Sequence, residues 1–235
     1  MSRNDSYSVK AHGKFEGIYT ITLDNNDILG TRNQVPGTDV YGERLFKVGG
    51  SEEYREWNPN RSKMCAYLRK NGKEYYFKEG MSILYLGAAN GTTVSHLSDI
   101  VGKSGRIYAV EFSARSLRDL VQRLAKRDNV IPMLADATKP AQYRSLIPEQ
   151  VDLIYQDVAQ PEQSRLLIDN IQTFLKPGGA FYIAIKSRSI DVTVEPEIIF
   201  QKERAILEKA GCKVVDMRDI APFTEDHVVI AGRMA

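Results

Sequence analysis

Apolar and polar positions change their spacing at about Lys78, and this change divides the chain into two parts. In the first part, turn sequences separate short runs of β-forming residues, which are YSVKAH, FEGIYTITL, DILGTR and RLFKVGG. No amphipathic helix of useful length lies among them. The pattern predicts a small antiparallel β domain over residues 1–55, which is too small to be stable without packing on the rest of the chain.

In the second part, apolar runs of strand length alternate with helix-like stretches; the runs are MSILYLG, GRIYAVEF, NVIPMLAD, VDLIYQDV and GGAFYIAIK. This alternation predicts a parallel sheet covered on both faces. The last two runs, CKVVDMRDI and DHVVIAGRM, have a short connection and are predicted to pair antiparallel at the sheet edge. Residues 56–235 are therefore predicted to form a doubly wound, Rossmann-like α/β sheet with an antiparallel last strand. This layout resembles the class I methyltransferases, although periodicity alone does not separate it from a dinucleotide-binding domain.

The composition excludes some classes of function but does not identify an activity. The formal net charge is only +2, from 32 cations and 30 anions, so bulk charge does not indicate a polyanionic partner but leaves room for a local basic face. Cys65 and Cys212 match no metal-ligand spacing, and no metal site is predicted. No apolar run reaches the roughly 20 residues of a membrane span, and residues 1–15 lack a signal-peptide core. We expect a cytoplasmic protein that does not bind membranes.

The segment ILYLGAANGTTVSHL combines a buried strand, a turn with Gly87 and Gly91, and a helix start. Such a turn brings backbone N–H groups close to a ligand, although a strand-to-helix turn without a ligand has the same pattern. Ala89 stands where a dinucleotide motif needs its second glycine to admit a pyrophosphate. The loop therefore suits a smaller group, such as the amino-acid part of S-adenosylmethionine.

Three successive predicted strands end in an acid: Glu111, Asp136 and Asp157. The carboxyl ends of parallel strands form the ligand-binding edge of such sheets. Glu111 follows Gly87 by 24 residues, a position from which a carboxylate accepts both hydroxyls of a ribose. Asp136, beside Ala137, is placed to accept from an adenine amino group. The three acids together predict a cofactor that contains adenosine.

Arg61 and Lys63 lie at the start of a helix-like run in EWNPNRSKMCAYL. The helix dipole favours anions there, so these cations indicate either an ordinary solvated helix edge or a negatively charged partner.

Six motifs distributed along the chain resemble those of fibrillarin in its short archaeal form: NPNRSK, GAANGTT, GRIYAVEFS, DVAQPEQ, IKSRSID and EDHVVI. The resemblance extends from the β domain to the last strand. One departure is Asn90, where that family usually has serine.

The resemblance implies an S-adenosylmethionine-dependent enzyme that methylates ribose 2′-hydroxyls of pre-rRNA and tRNA. In that family the enzyme is the catalytic subunit of a box C/D ribonucleoprotein, in which a guide RNA selects the target. The implied protein partners are a Nop-domain scaffold protein and a kink-turn-binding protein of the ribosomal type.

The resemblance also implies site residues. The implied catalytic set is Lys63, Asp157, Lys186 and His227. The implied RNA-binding residues are Arg61, Lys63, Lys186 and Arg188. The predicted cofactor-binding residues are Gly87, Ala89, Thr92, Thr93, Glu111, Phe112, Asp136, Ala137, Asp157, Val158, Ala159 and Gln160.

Three other functions stay open at this point. A class I methyltransferase that acts on a protein or a small molecule would share the fold, but the two lysines would have no clear role. A catalytically idle RNA-assembly subunit is disfavoured because all four implied catalytic positions are filled. A nicotinamide-dependent oxidoreductase is disfavoured by Ala89 and by the antiparallel last strand.

Overall fold

The computed structural model describes residues 7–234 of the chain. The first sheet is antiparallel, with strand order β1-β2-β3-β5-β4. Its strands are β1 (Tyr7–Ala11), β2 (Ile18–Leu23), β3 (Asn26–Arg32), β4 (Leu45–Val48) and β5 (Glu52–Trp57). The predicted antiparallel β sheet is confirmed, and residues 1–6 of the predicted domain lie outside the described part. Because β5 continues to Trp57, the sheet does not itself define a boundary at residue 55, which stays a prediction.

Strand β5 was not predicted, because its sequence EEYREW has four charged residues out of six. Two of these residues, Glu53 and Arg55, are nevertheless buried. The guanidinium of Arg55 pairs with Glu43 at 2.6 Å and with Asp99 at 2.8 Å, so its charge is compensated inside the protein. Charged residues are almost never fully buried without such partners, and partners distant in sequence are not visible in a local pattern.

The second sheet has the strand order β11-β12-β10-β9-β6-β7-β8. Its strands are β6 (Ser82–Leu86), β7 (Arg106–Glu111), β8 (Val130–Leu134), β9 (Val151–Gln156), β10 (Leu175–Lys186), β11 (Cys212–Asp219) and β12 (His227–Met234). Strands β6 to β10 are parallel, and β12 runs antiparallel between β10 and β11. The predicted doubly wound sheet with an antiparallel last strand is therefore confirmed.

Helices cover both faces of this sheet. Their bounds are α1 (Lys63–Arg69), α2 (Thr92–Val101), α3 (Ala114–Leu124), α4 (Pro140–Tyr143), α5 (Gln163–Phe174) and α6 (Pro196–Lys209). Helices α1 to α3 bury apolar residues in one core, and α4 to α6 contribute to the other. The helix-like sequence PAQYRSLI, residues 140–147, forms only the short α4, followed by a 3₁₀ turn at Arg144–Leu146.

The small sheet packs on the α1 to α3 side of the large one. Trp57 at the end of β5 is fully buried, and its ring stacks on His96 of α2 at 5.0 Å with an interplanar angle of 16°. Ile18 and Leu29 of the small sheet, together with Phe15 in the turn between β1 and β2, join the same core as α1 and α2. Within residues 7–234, no helix combines the length and the apolar character needed to cross a membrane.

Candidate active site

The carboxyl ends of β6, β7, β8 and β9 surround a cavity of about 360 Å³. Ten of the predicted cofactor residues line it: Gly87, Ala89, Glu111, Phe112, Asp136, Ala137, Asp157, Val158, Ala159 and Gln160. They converge because each lies at, or shortly after, the carboxyl end of a strand, and these ends share one sheet edge. Four further lining residues were not predicted: Val110, Ala135, Thr138 and Leu166. Val110 and Ala135 adjoin predicted acids in sequence, and Thr138 adjoins the predicted Ala137. Leu166 comes from α5 and has no such local signal.

The glycine loop has a conformation that requires its first glycine. Gly87 has a φ of +83°, and a Cβ there would lie 2.3 Å from the main-chain oxygen of Asp157. Ala89 also has a positive φ, of 48°, and lines the cavity. Thr92 and Thr93 are buried at the start of α2, outside the cavity lining. The Thr93 hydroxyl donates to Ser62 instead, and cofactor contact by either threonine stays a prediction.

Glu111 is held in the cavity wall by two main-chain N–H groups. The amides of Ala89 and Ser113 each donate to one of its carboxylate oxygens at 2.8 Å. A carboxylate has about four acceptor positions, so it retains capacity for the two hydroxyls of a ribose. Phe112, next to it, is 75% exposed and lines the cavity, so its ring surface is available to a ligand.

Asp136 lies two residues beyond the end of β8 and accepts hydrogen bonds from the N–H and the hydroxyl of Thr138 at 3.0 and 2.7 Å. The Thr138 hydroxyl lowers the pKa of Asp136 below its usual value, so this carboxylate is ionised at neutral pH. The cavity thus combines two anchored carboxylates with apolar side chains from Val158 and Leu166. This donor and acceptor set fits the adenosine part of S-adenosylmethionine.

A second polar cluster lies beside Asp157 and joins four predicted residues. Lys63 is the first residue of α1, and its Nζ donates to both carboxylate oxygens of Asp157 at 2.8 Å. Ser62 caps this helix by accepting from the N–H of Cys65. Because its charge is directed at Asp157, Lys63 is tolerated at a helix start that the dipole makes unfavourable for cations.

Lys186 ends β10 and lies opposite His227, the first residue of β12. The Nδ1 atom of His227 donates to the main-chain oxygen of Glu225 at 2.6 Å, because a carbonyl can only accept. The neutral ring then keeps Nε2 as an acceptor.

Burial lowers the pKa of His227 below 6.5, and the positive charges of Lys63 and Lys186 lower it further. The Glu225 hydrogen bond and the charge of Asp157 act in the opposite direction. All three charged members of the cluster therefore influence this ring. The ring is neutral at pH 7.

The two remaining predicted RNA-binding residues are exposed. The guanidinium of Arg61 lies over the ring of Tyr41, 5.8 Å from its centre. Arg188 forms an ion pair with Asp226 at 2.9 Å, so its charge is partly compensated in this structure. Among residues 7–234 no group of three or more metal-ligating side chains occurs.

Comparison with known proteins identifies the family. The family model described as Fibrillarin matches residues 9–235. A relative from Methanopyrus kandleri, named a fibrillarin-like rRNA/tRNA 2′-O-methyltransferase, is 50% identical over 226 residues, which cover 95% of this chain and 96% of the relative. The chain belongs to the fibrillarin family. The predicted resemblance is confirmed.

Solved fibrillarin structures agree with this assignment. The Methanococcus jannaschii fibrillarin pre-rRNA processing protein has a TM-score of 0.92 at 47% identity, with 98% of each chain covered. Aeropyrum pernix fibrillarin, solved with natively bound S-adenosyl-L-methionine, has a TM-score of 0.89 at 47% identity, over 96% of this chain and 97% of that one.

A fibrillarin/Nop5p complex contains a chain with a TM-score of 0.84 at 42% identity, over 94% of this chain and 99% of that one. An S-adenosylmethionine-dependent methyltransferase from Aquifex aeolicus, at 22% identity and a TM-score of 0.53, covers 71% of this chain and 89% of its own and shares the fold alone. The predicted methyltransferase fold class is confirmed.

Proposed function

We propose that this protein transfers a methyl group from S-adenosylmethionine to ribose 2′-hydroxyls of rRNA and tRNA. The observation that carries the proposal is the position of the polar cluster: Asp157 lines the nucleoside-sized cavity and also binds Lys63. A reacting hydroxyl beside this pair would therefore lie next to the cofactor cavity. Membership of the fibrillarin family and the name of the Methanopyrus kandleri relative support the same reaction.

The cofactor would supply an electrophilic methyl group held on a sulfonium. Glu111 would accept the ribose hydroxyls of its adenosine part, and Asp136 its adenine amino group. Because Gly87 has no side chain, the loop can approach the main chain of Asp157 closely. The backbone of this loop would hold the amino-acid part. The natively bound S-adenosyl-L-methionine of Aeropyrum pernix fibrillarin supports this choice of cofactor.

The polar cluster would align the acceptor hydroxyl and manage its proton. Methyl transfer requires the 2′-oxygen to lie in line with the methyl group, and its nucleophilicity rises as the proton leaves. Lys63 and Lys186 would stabilise the negative charge that develops on this oxygen, while Asp157 holds Lys63 in place. The Nε2 atom of neutral His227 would accept the proton, because its Nδ1 already donates to the main chain of Glu225.

The partners would determine the target. A Nop-domain scaffold protein is supported by the fibrillarin/Nop5p complex. A box C/D guide RNA would select the nucleotide by base pairing, and a kink-turn-binding protein of the ribosomal type would complete the particle. Arg61 and Arg188 would contact phosphates near the reacting ribose. The cytoplasmic location stays a prediction.

The decisive experiment measures transfer of labelled methyl from S-adenosylmethionine to a target RNA. It compares the protein alone with the protein plus guide RNA and both partner proteins. Label on one guide-specified 2′-oxygen, only in the complete mixture, is the expected result. Label on protein would favour a protein methyltransferase, and cofactor binding without any transfer would favour an idle assembly subunit.

Substitution of Lys186 tests the assignment of the cluster. We expect Lys186→Ala to abolish turnover in the complete mixture while the Kd for S-adenosylmethionine changes by less than about twofold. This expectation follows because Lys186 is outside the cavity lining and would act on the acceptor oxygen alone. Loss of cofactor binding in this variant would contradict the assignment and indicate a structural role.

A further inference from the structure

Strand β10 continues beyond the end of its parallel neighbour β9. The last pair between the two strands is Ile183 with Gln156, and Lys186 lies three residues further along β10. On its other side Lys186 is opposite His227 of β12. The main-chain N–H and C=O of Lys186 on the β9 side therefore have no strand to pair with.

A side-chain amide takes the place of the missing strand. The Oε1 atom of Gln163 accepts from the main-chain N–H of Lys186 at 2.9 Å. The Nε2 atom of the same side chain donates to the main-chain oxygen of Lys186 at 3.0 Å. A glutamine amide carries a donor and an acceptor side by side, so it can engage both groups of one strand residue, as a paired strand residue does.

Gln163 is itself held in position. It is fully buried at the first position of α5, immediately after the loop that carries Asp157 and Gln160. Its main-chain oxygen accepts from the Nε2 of Gln156 at 2.8 Å. Gln156 is also fully buried and is the last residue of β9, directly before Asp157. Two buried amides thus connect the residue that precedes Asp157 to the main chain of Lys186.

From this geometry we infer that Gln163 is a positioning residue that fixes the end of β10, and with it the direction in which the Lys186 side chain leaves the sheet. The inference rests on the proposed function. The side chain of Lys186 is exposed and forms no ion pair within residues 7–234, so nothing in that part of the chain restrains its ammonium group by charge. A long, flexible lysine can be aimed at a reacting oxygen only if its main chain is held still.

Ser164 provides a matched control for a purely structural role. It is the next residue of α5 and is equally buried. Its N–H and hydroxyl bond to Glu203 of α6 at 3.0 and 3.2 Å, and neither bond reaches the polar cluster. Ser164→Ala therefore removes a buried hydrogen bond from the same helix turn without affecting the main chain of Lys186.

The experiment measures the single-turnover methylation rate of the complete particle at saturating S-adenosylmethionine and RNA. The variants are Gln163→Met, which keeps the length but neither hydrogen bond, and Gln163→Glu, which keeps the acceptor for the Lys186 N–H. The Kd for S-adenosylmethionine and the Tm are measured in parallel. We expect Gln163→Met to lower the rate by up to about 100-fold, the loss that a misplacement of about 1 Å can cause, with the Kd changed less than about twofold. Gln163→Glu should recover part of the rate.

Ser164→Ala should lower Tm while leaving the rate within about twofold of wild type. A rate for Gln163→Met equal to that of Ser164→Ala, or a loss of rate with no recovery in Gln163→Glu, would overturn the inference. If Gln163→Met does not fold, the comparison of Gln163→Glu with Ser164→Ala decides in the same way. Absence of transfer by the wild-type particle would overturn the proposed function itself, which keeps the two failures separate.

Discussion

Asp157 has two separate structural tasks at the candidate site. Its carboxylate binds Lys63, and its main-chain oxygen occupies the space next to Gly87. The paired side chains of Lys63 and Asp157 are 23% and 25% exposed, so solvent weakens the attraction between them. The pair therefore matters more for the direction in which Lys63 points than for the stability of the fold.

The role of the Asp157 carboxylate in orienting Lys63 can be tested by Asp157→Asn. Removal of the charge frees Lys63, so we expect the single-turnover methylation rate to fall by about 100-fold or more. Stability should change by no more than about 1 kcal/mol, because the pair is partly exposed and solvent screens its attraction. Asp169→Asn, which disrupts an exposed pair with Arg165 on α5, is the control and should leave the rate unchanged. A rate within twofold of wild type for Asp157→Asn would refute this role.

The position of the Asp157 main-chain oxygen next to Gly87 predicts a specific effect of Gly87→Ala. Both Gly87 and Gly42 have a positive φ, of 83° and 86°, but only Gly87 has an atom close to its missing Cβ. Gly42→Ala has open space and costs only the conformational strain, about 1 to 2 kcal/mol. We expect Gly87→Ala to weaken S-adenosylmethionine binding at least tenfold, and Gly42→Ala to leave it unchanged. Titration calorimetry measures both, and equal affinities in the two variants would contradict the steric argument.

At the scale of elements, buried ion pairs join the small sheet to the helices of the large one. Asp99 of α2 accepts from Arg55 of β5 at 2.8 Å and from Arg127, which follows α3, at 2.6 Å. The side chains of all three residues are at most 2% exposed. Arg55 also pairs with Glu43, in the loop before β4. One carboxylate thus links three segments that are far apart in sequence.

Asp99→Asn should therefore destabilise the protein strongly. It leaves Arg55 and Arg127 without their shared charge partner in a buried site, and removing one member of such a pair costs about 3 to 5 kcal/mol. Urea unfolding at neutral pH measures this change in the free energy of unfolding. Asp119→Asn, at a position on α3 that forms no ion pair within the described residues, is the control and should change stability by less than about 0.5 kcal/mol. A loss below 1 kcal/mol for Asp99→Asn would contradict this account.

The elements also differ in how well their sequences predict them. The apolar strands β6, β7, β9 and β10 were predicted because they are buried on both faces and their sequences are almost continuously apolar. Strand β5 was not predicted from the sequence, because Arg55 is buried only through partners distant in the chain. The short length of α4 was not predicted either; this helix is followed by a 3₁₀ turn after Tyr143.

At the scale of the whole molecule, a buried histidine makes stability depend on pH. His96 of α2 is fully buried and bonds to the hydroxyls of Thr31 and Tyr41 at 2.8 Å each. Burial lowers its pKa well below 6.5, and the positive charges of Arg55 and Arg127 lower it further. The folded protein therefore keeps this ring neutral at a pH where the unfolded chain binds a proton.

The sign of the pH effect follows from this difference. The contribution of neutral His96 to the free energy of unfolding is fully present above pH 6.5. It is lost as the pH falls below that value, because only the unfolded state gains the proton. One such group contributes a slope of about 1.4 kcal/mol per pH unit. We expect the free energy of unfolding of His96→Gln to fall less than that of wild type between pH 7.5 and 5.5. Equal slopes in urea titrations at the two pH values would contradict the assignment.

The sequence by itself determined the β-rich first part, the doubly wound sheet and the carboxylates at its ligand-binding edge. These features are local: strand and helix periodicity depends on neighbouring residues, and a strand that ends in an acid places that acid at the carboxyl edge of any parallel sheet. Glu111, Asp136 and Asp157 could therefore be assigned to one cavity without coordinates.

Only the tertiary structure decided which side chains touch across long separations. Lys63 and Asp157 are 94 residues apart, and Gln163 and Lys186 are 23 apart, so neither contact leaves a periodic signal. The family resemblance grouped Lys63, Asp157, Lys186 and His227. It assigned no role to Gln163, although the motif DVAQPEQ ends at that residue, and it did not include the ion pairs of Arg55. Such contacts depend on how separate elements pack, and packing is a property of the whole fold rather than of any single segment.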